Sequence, residues 1–119
     1  MRDSGVEDII VGSIKDDSWE QARQDGFEVF PIEEASQKAD IIFMLIPDEY
    51  APKVYKESIQ PYLKEGVVLN FASGYNITFK LIHPPQSADV IMVAPRMIGQ
   101  GVRELYQSEK GFPAFIAIE

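Results

Sequence analysis

Apolar runs alternate with amphipathic stretches along the whole chain. Ile9-Ile10-Val11 is a short apolar run ending at Gly12, and it predicts a buried strand. Asp17 to Asp25 follows as a helix, with Asp17 three residues before Glu20 in a capping-box spacing and Gly26 as its C-terminal cap. Phe27 to Phe30 alternates like a strand, and Pro31 opens a second helix through Lys38, with Glu33 and Glu34 in its first turn. Asp40 to Ile46 is apolar on both faces, as expected of a parallel strand covered on each side. Pro47-Asp48-Glu49 closes it and starts a helix to about Ile59. Gly66 to Ala72 and Asp89 to Ala94 are two more buried strands, separated by a short helix over 77–82. A polar helix from Gln100 to Lys110 and a strand from Pro113 to Ile118 complete the series. Strand–helix alternation of this kind predicts an α/β fold, a parallel sheet with helices on both faces. No repeat, low-complexity tract or interdomain linker interrupts it, so the 119 residues read as one domain or part of one.

Charge and composition narrow the function. With 11 Lys plus Arg against 19 Asp plus Glu, the formal charge is −8. That balance excludes nucleic acid as the expected partner, because phosphate backbones need clustered cations. It likewise disfavours anionic lipid. The absence of cysteine removes disulfides, thiolate metal sites and a thiol nucleophile. The longest apolar run, Ile41 to Pro47, is too short for a membrane span, and the N-terminal residues have no apolar signal region. A cytoplasmic location is the expectation.

Three ordered motifs carry a family likeness: Leu45-Ile46-Pro47-Asp48-Glu49, then Asn70-Phe71-Ala72-Ser73-Gly74-Tyr75-Asn76-Ile77, then Pro84-Pro85 leading to Asp89-Val90-Ile91-Met92-Val93-Ala94-Pro95. Gly99 with Val102-Arg103, and Lys110 to Ala114, extend it. On these residues the chain resembles the N-terminal domain of ketol-acid reductoisomerases (acetohydroxy acid isomeroreductases) from Met1 to Glu119. The resemblance implies a Rossmann-like domain binding NAD(P)H. It further implies a reaction joining Mg²⁺-dependent alkyl migration to hydride reduction, in branched-chain amino-acid synthesis.

The sequence departs from that pattern in three places. The family opens on a strand and a glycine-rich turn that cradles the pyrophosphate, whereas Met1 to Val6 matches the end of the helix after that turn. No G-x-G-x-x-G occurs; Gly99-Gln100-Gly101 lacks the third glycine. Losing two or three charged hydrogen bonds predicts cofactor binding weaker by about 3–9 kcal/mol, from micromolar toward millimolar or worse. Second, Ser73 stands where the family has histidine and Arg96 where it has lysine. A serine hydroxyl needs an activating group to act as a base, and a planar guanidinium does not replace a compact ammonium. Third, the family's acidic Mg²⁺ ligands lie in a C-terminal helical domain outside these residues. No metal ligands are assigned here, and Mg²⁺ enters only if such a domain is supplied.

The resemblance makes Ser73 and Arg96 the candidate catalytic positions. Lys15, Asp16 and Ser18, beside Asp17, follow the first strand, where a carboxylate binds a ribose 2′-hydroxyl and repels a 2′-phosphate. This leans the choice toward NADH over NADPH, with Lys15 an offset; the plain alternative is a helix cap. Asp48, Glu49, Tyr50 and Ala51 are candidate cofactor contacts at a strand end, or simply acids at a helix start. Gly99 is the last cofactor candidate. Ser73 to Asn76 reads either as a nicotinamide-side turn or as a structural turn. His83, bounded by Pro84-Pro85, reads as structural or solvent-exposed, and Arg103, Glu104 and Lys110 as a solvated helix face. Two function classes result: part of a reductoisomerase, inactive as this chain alone, or a degenerate relative acting as a weak nucleotide-binding or interaction module. In the usual strand order the first strand is central. The strands at Ile9 and Ile41 are therefore expected to pair directly across its place, or to accept a strand from a homo-oligomer or complementing chain.

Overall fold

The local sequence sets most of the element boundaries, as seen in a computed structural model that describes residues 1–119. Six strands form: β1 (Ile10–Ser13), β2 (Glu28–Pro31), β3 (Ile41–Met44), β4 (Val68–Phe71), β5 (Asp89–Pro95) and β6 (Ala114–Ile118). Between them lie α1 (Asp17–Gln24), α2 (Ile32–Lys38), α3 (Ala51–Val54), α4 (Tyr75–Thr78) and α5 (Gly99–Gln107). A 3₁₀ turn over Arg2–Ser4 precedes β1 and ends at Gly5, whose φ of 86° is left-handed. No helix is long and apolar enough to cross a membrane.

Proline shapes the segment after β3. Tyr50 and Ala51 N–H both return to the Pro47 carbonyl, so a turn precedes α3 and the helix starts later than expected. It then widens into a π-helix over Tyr55–Ile59 and tightens into a 3₁₀ turn over Gln60–Tyr62. Pro61 has no N–H to continue an α-helical ladder, which accounts for the altered winding. The helix expected over 77–82 instead occupies Tyr75–Thr78. Lys80 takes a left-handed φ of 54°, while Leu81 and Ile82 N–H both bond the Asn76 carbonyl. The cap of α1 is Asp16 rather than Asp17: its carboxylate accepts from Trp19 N–H at 3.2 Å.

The strands divide into two sheets. β1 and β2 pair in parallel; β3, β4 and β5 form a second parallel set in that order, with β6 on its edge. β6 runs antiparallel to β5, from Ala114 opposite Pro95 to Ile118 opposite Ile91. A wholly parallel sheet is thus corrected at this strand. The segment after α5 brings Pro113 back beside the end of β5, where its carbonyl takes the Arg96 N–H, so β6 starts at that end and runs back along β5.

The expected direct pairing of the strands at Ile9 and Ile41 does not occur; β1 and β3 belong to separate sheets. Helix α2 packs against both sides of this break. Its buried Ala35 lies against β1, where a Cβ built on Gly12 would stand only 2.9 Å from the Ala35 Cβ. On its other side α2 packs against the π-helix, where the Ser58 hydroxyl beside Glu33 holds that carboxyl below its usual range. Between the two sheets β1 and β3 are left unpaired with each other, with a slot between them and α2 packed against either side.

The core sits on one face of the larger sheet. Met44, Leu69 and Phe71 meet Ala51, Tyr55, Ile59 and Ile82 there, and Ile42 and Val90 share the same side by register. Alternation sends Ile41, Phe43 and Leu45 to the opposite face, together with Ile116 and Ile118. Those five side chains are exposed, Leu45 at 72% and Ile118 at 84%. One face is therefore a packed core and the other is largely uncovered.

Candidate functional site

Each group of candidate residues follows the carboxyl end of a strand, the edge at which open α/β sheets hold ligands. Lys15, Asp16, Asp17 and Ser18 come after β1; Asp48 to Ala51 after β3; Ser73 after β4; and Arg96 with Gly99 after β5. All of Lys15 to Ser18 are exposed. Capping uses Asp16 Oδ1, while Asp17 and Ser18, in the first turn of α1, border an open depression of about 490 Å³ floored by Val11 and Phe27. That depression belongs to the smaller sheet and is not lined by Asp48 or Ser73.

The turns after β3 and β4 are joined. The Ser73 hydroxyl donates to Asp48 Oδ2 at 2.9 Å, and the Tyr75 N–H donates to Ser73 Oγ at 3.3 Å. Asn76, only 1% exposed, donates from Nδ2 to Asp48 Oδ1 at 3.1 Å and to the Asp48 carbonyl at 3.2 Å. The Asn76 Oδ1 is buried without a partner. Side by side, β3 and β4 end level with each other, Met44 opposite Phe71, which lets residues 25 apart in sequence meet. Gly74 fits because a Cβ there would press on the Met92 sulfur at 3.3 Å. On the outer side of this turn, Tyr75 and Phe79 pack at 4.7 Å between ring centroids, half exposed to solvent.

The other candidates are placed less centrally. Arg96 lays its guanidinium over the Phe115 ring at 5.0 Å, and its backbone N–H bonds the Pro113 carbonyl, so it is braced against β6 and bonded to neither Ser73 nor Asp48. Gly99 begins α5 with open space around its Cα. Glu49 and Tyr50 are exposed and make no side-chain hydrogen bond, whereas Ala51 is buried in the core. His83 is exposed. Arg103, read as part of a solvated face, instead holds Asp3 through Nε at 2.9 Å; that hydrogen bond and the adjacent positive charge set the Asp3 carboxyl below its usual range. Asn76 was the residue sequence reasoning used only as a turn former. Its near-complete burial beside a strand end is a tertiary property that no local pattern announces. No group of three or more His, Asp or Glu side chains converges to hold a metal, so these residues do not fit Mg²⁺ by themselves.

Comparison with known proteins gives a consistent answer. Residues 1–119 match the family described as acetohydroxy acid isomeroreductase, NADPH-binding domain. A ketol-acid reductoisomerase (NADP(+)) of Pyrococcus abyssi is 52% identical over 99% of this chain and 36% of its own length. A ketol-acid reductoisomerase (NAD(+)) from the uncultured archaeon GZfos26G2 is 44% identical over the whole of this chain and 37% of its own length. The solved structure of an NADH-preferring ketol-acid reductoisomerase from an uncultured archaeon superposes with a TM-score of 0.93 at 43% identity, covering 99% of this chain and 37% of that one. The chain thus spans little more than a third of the length of these relatives.

Proposed function

The chain belongs to the acetohydroxy acid isomeroreductase NADPH-binding domain family, and from that premise we propose that its strand ends hold a nicotinamide dinucleotide for ketol-acid reduction in branched-chain amino-acid synthesis. One observation carries the reading: every candidate group follows the carboxyl end of a strand. When bound, the dinucleotide supplies a hydride. Lys15, Asp16 and Ser18 take the adenosine ribose, Asp48, Glu49 and Tyr50 border the cofactor at the β3 end with Gly99 beyond β5, Ala51 packs beneath them in the core, and Ser73 stands at the nicotinamide side. Arg96 provides the only cation among the turns after β3, β4 and β5 named here, and we assign it to the substrate or cofactor charge. Reduction by the whole enzyme requires the Mg²⁺ ligands and the diphosphate cradle from outside these residues, so we propose that the chain alone is inactive. The domain is cytoplasmic in this reading. We further propose that a strand supplied by a second copy or a complementing chain fills the slot between β1 and β3.

Carboxylates at Asp16 and Asp17 favour the free ribose hydroxyl over a 2′-phosphate, which supports NADH over NADPH. The test is a titration of the isolated chain with millimolar NADH and NADPH, following ¹⁵N amide shifts. Shifts at Lys15 to Ser18 and at Ser73 to Tyr75 are expected, larger for NADH at equal concentration. The double variant Asp16→Asn, Asp17→Asn should erase that preference. If neither nucleotide moves those signals even near its solubility limit, or if the shifts fall away from these strand ends, the cofactor assignment fails.

A second reading has its own observation. Ser73 stands where the family has histidine and its hydroxyl donates a hydrogen bond to Asp48, so no imidazole is offered at that position, which suits a domain that keeps the nucleotide fold without proton transfer. Nucleotide-dependent shifts combined with no turnover when the remainder of a family enzyme is added in trans would favour this non-catalytic module.

A further inference from the structure

The bonds around Ser73 restrict what it can recognise. A serine hydroxyl has one proton to give and two lone pairs to receive. Its proton goes to Asp48 Oδ2 at 2.9 Å, and a carboxylate offers only acceptors, so this direction is fixed. One lone pair takes the Tyr75 N–H at 3.3 Å. The second lone pair is the only capacity left on a half-buried side chain at a strand end. Asp48 is itself held in place: Asn76 Nδ2 grips both its Oδ1 and its carbonyl, and Asn76 is 1% exposed. Turning the Asp48 carboxylate away would leave a buried amide N–H without a partner, a costly state.

We propose that Asp48 is a positioning residue that makes Ser73 an obligate hydrogen-bond acceptor, and that the group Ser73 accepts from is the carboxamide N–H of a nicotinamide ring. This rests on the nucleotide reading above. A ribose hydroxyl can also donate to such a site, but it satisfies a donor equally well, whereas the carboxamide NH₂ only donates and is the group for which an acceptor-only Ser73 is selective. The adenine amino group belongs to the end of the ligand that meets Lys15 to Ser18. Asp48 therefore acts through Ser73 rather than as the direct cofactor contact expected from its position alone.

The experiment compares NADH with its reduced 3-acetylpyridine analogue, in which a methyl group replaces the carboxamide NH₂ and all else is kept. Both are titrated into the 119-residue chain at millimolar concentration by ¹⁵N NMR. The wild-type chain should bind NADH about 2- to 10-fold more tightly than the analogue, the worth of one neutral hydrogen bond. Ser73→Ala should bring the ratio to one, and Ser73→Thr should restore it. Asp48→Asn should also remove the preference, because the new amide donates to Ser73 and fills the free lone pair. Its fold is checked by spectral dispersion; if it is lost, the Ala and Thr variants carry the test. A wild-type ratio of one, or a ratio that survives Ser73→Ala, overturns the proposal while leaving the nucleotide reading intact. Failure of both ligands to bind overturns the two together.

Discussion

Tyr55 is 2% exposed, and its hydroxyl has no hydrogen-bond partner. A buried unpaired hydroxyl loses hydration without compensation, so Tyr55→Phe should stabilise the fold by about 1 kcal/mol in urea unfolding. Alkaline pH gives an independent check. Burial pushes the Tyr55 phenol from 10.0 up to about 12. Below pH 10 the phenol is neutral in both folded and unfolded chains and adds no slope. Between those values the unfolded chain releases this proton and the folded one keeps it, so stability falls as pH rises, by up to about 1.4 kcal/mol per unit. The Phe variant should lack that component of the alkaline loss. Single residues were also the least legible part of the sequence. Asp16 and Asp17 are adjacent acids, and capping spacing pointed to the second while the backbone turned at the first. Ser73 was recognisable as a strand-end residue, but its partner lies 25 positions away and is brought close only by the β3–β4 register.

Among elements, β1 and α2 approach closely at Gly12. Gly12 has no left-handed φ to defend; what it offers is the missing Cβ opposite Ala35. Gly12→Ala should therefore destabilise by about 1–3 kcal/mol through overpacking, and Gly12→Ala with Ala35→Gly should recover part of that loss in the same unfolding assay. The strands were legible because their apolar runs are short and bounded by turn residues, and all six fall where the pattern put them, give or take a few residues. Direction was not. Nothing in the alternation of Ala114 to Ile118 says whether the strand runs with or against β5; the return of Pro113 to the side of Arg96 sets it. The π-helix at Tyr55–Ile59 was hidden for a similar reason, since Pro61 acts on hydrogen bonds up to four residues back.

For the molecule as a whole, the slot and the bare sheet face belong together. The radius of gyration is 14.5 Å, against about 13.5 Å for a compact chain of this length, as an open slot would produce. Edges with unpaired backbone groups and apolar side chains such as Ile41 and Leu45 invite another strand. Association that rises with concentration is expected in size-exclusion runs, with the outer-edge amides of β3 exchanging quickly in dilute solution and slowly once associated. A monomer at all concentrations, with those amides already slow, would contradict it. The α/β class was readable from element order alone, and so was the place of the break between the strands at Ile9 and Ile41; that the two would stay unpaired was not, since no local pattern says whether two strand edges meet.

The reversed run of β6 has a practical side. By turning back along β5, it delivers Glu119 to the level of Val90, whose carbonyl takes the Glu119 N–H at 3.1 Å. The five-residue strand travels about 17 Å from the rim where Arg96 and Ser73 stand. A biosensor linker or a fluorescent label attached at Glu119 is thereby kept a strand's length from that rim, leaving it open to whatever is flowed across the surface.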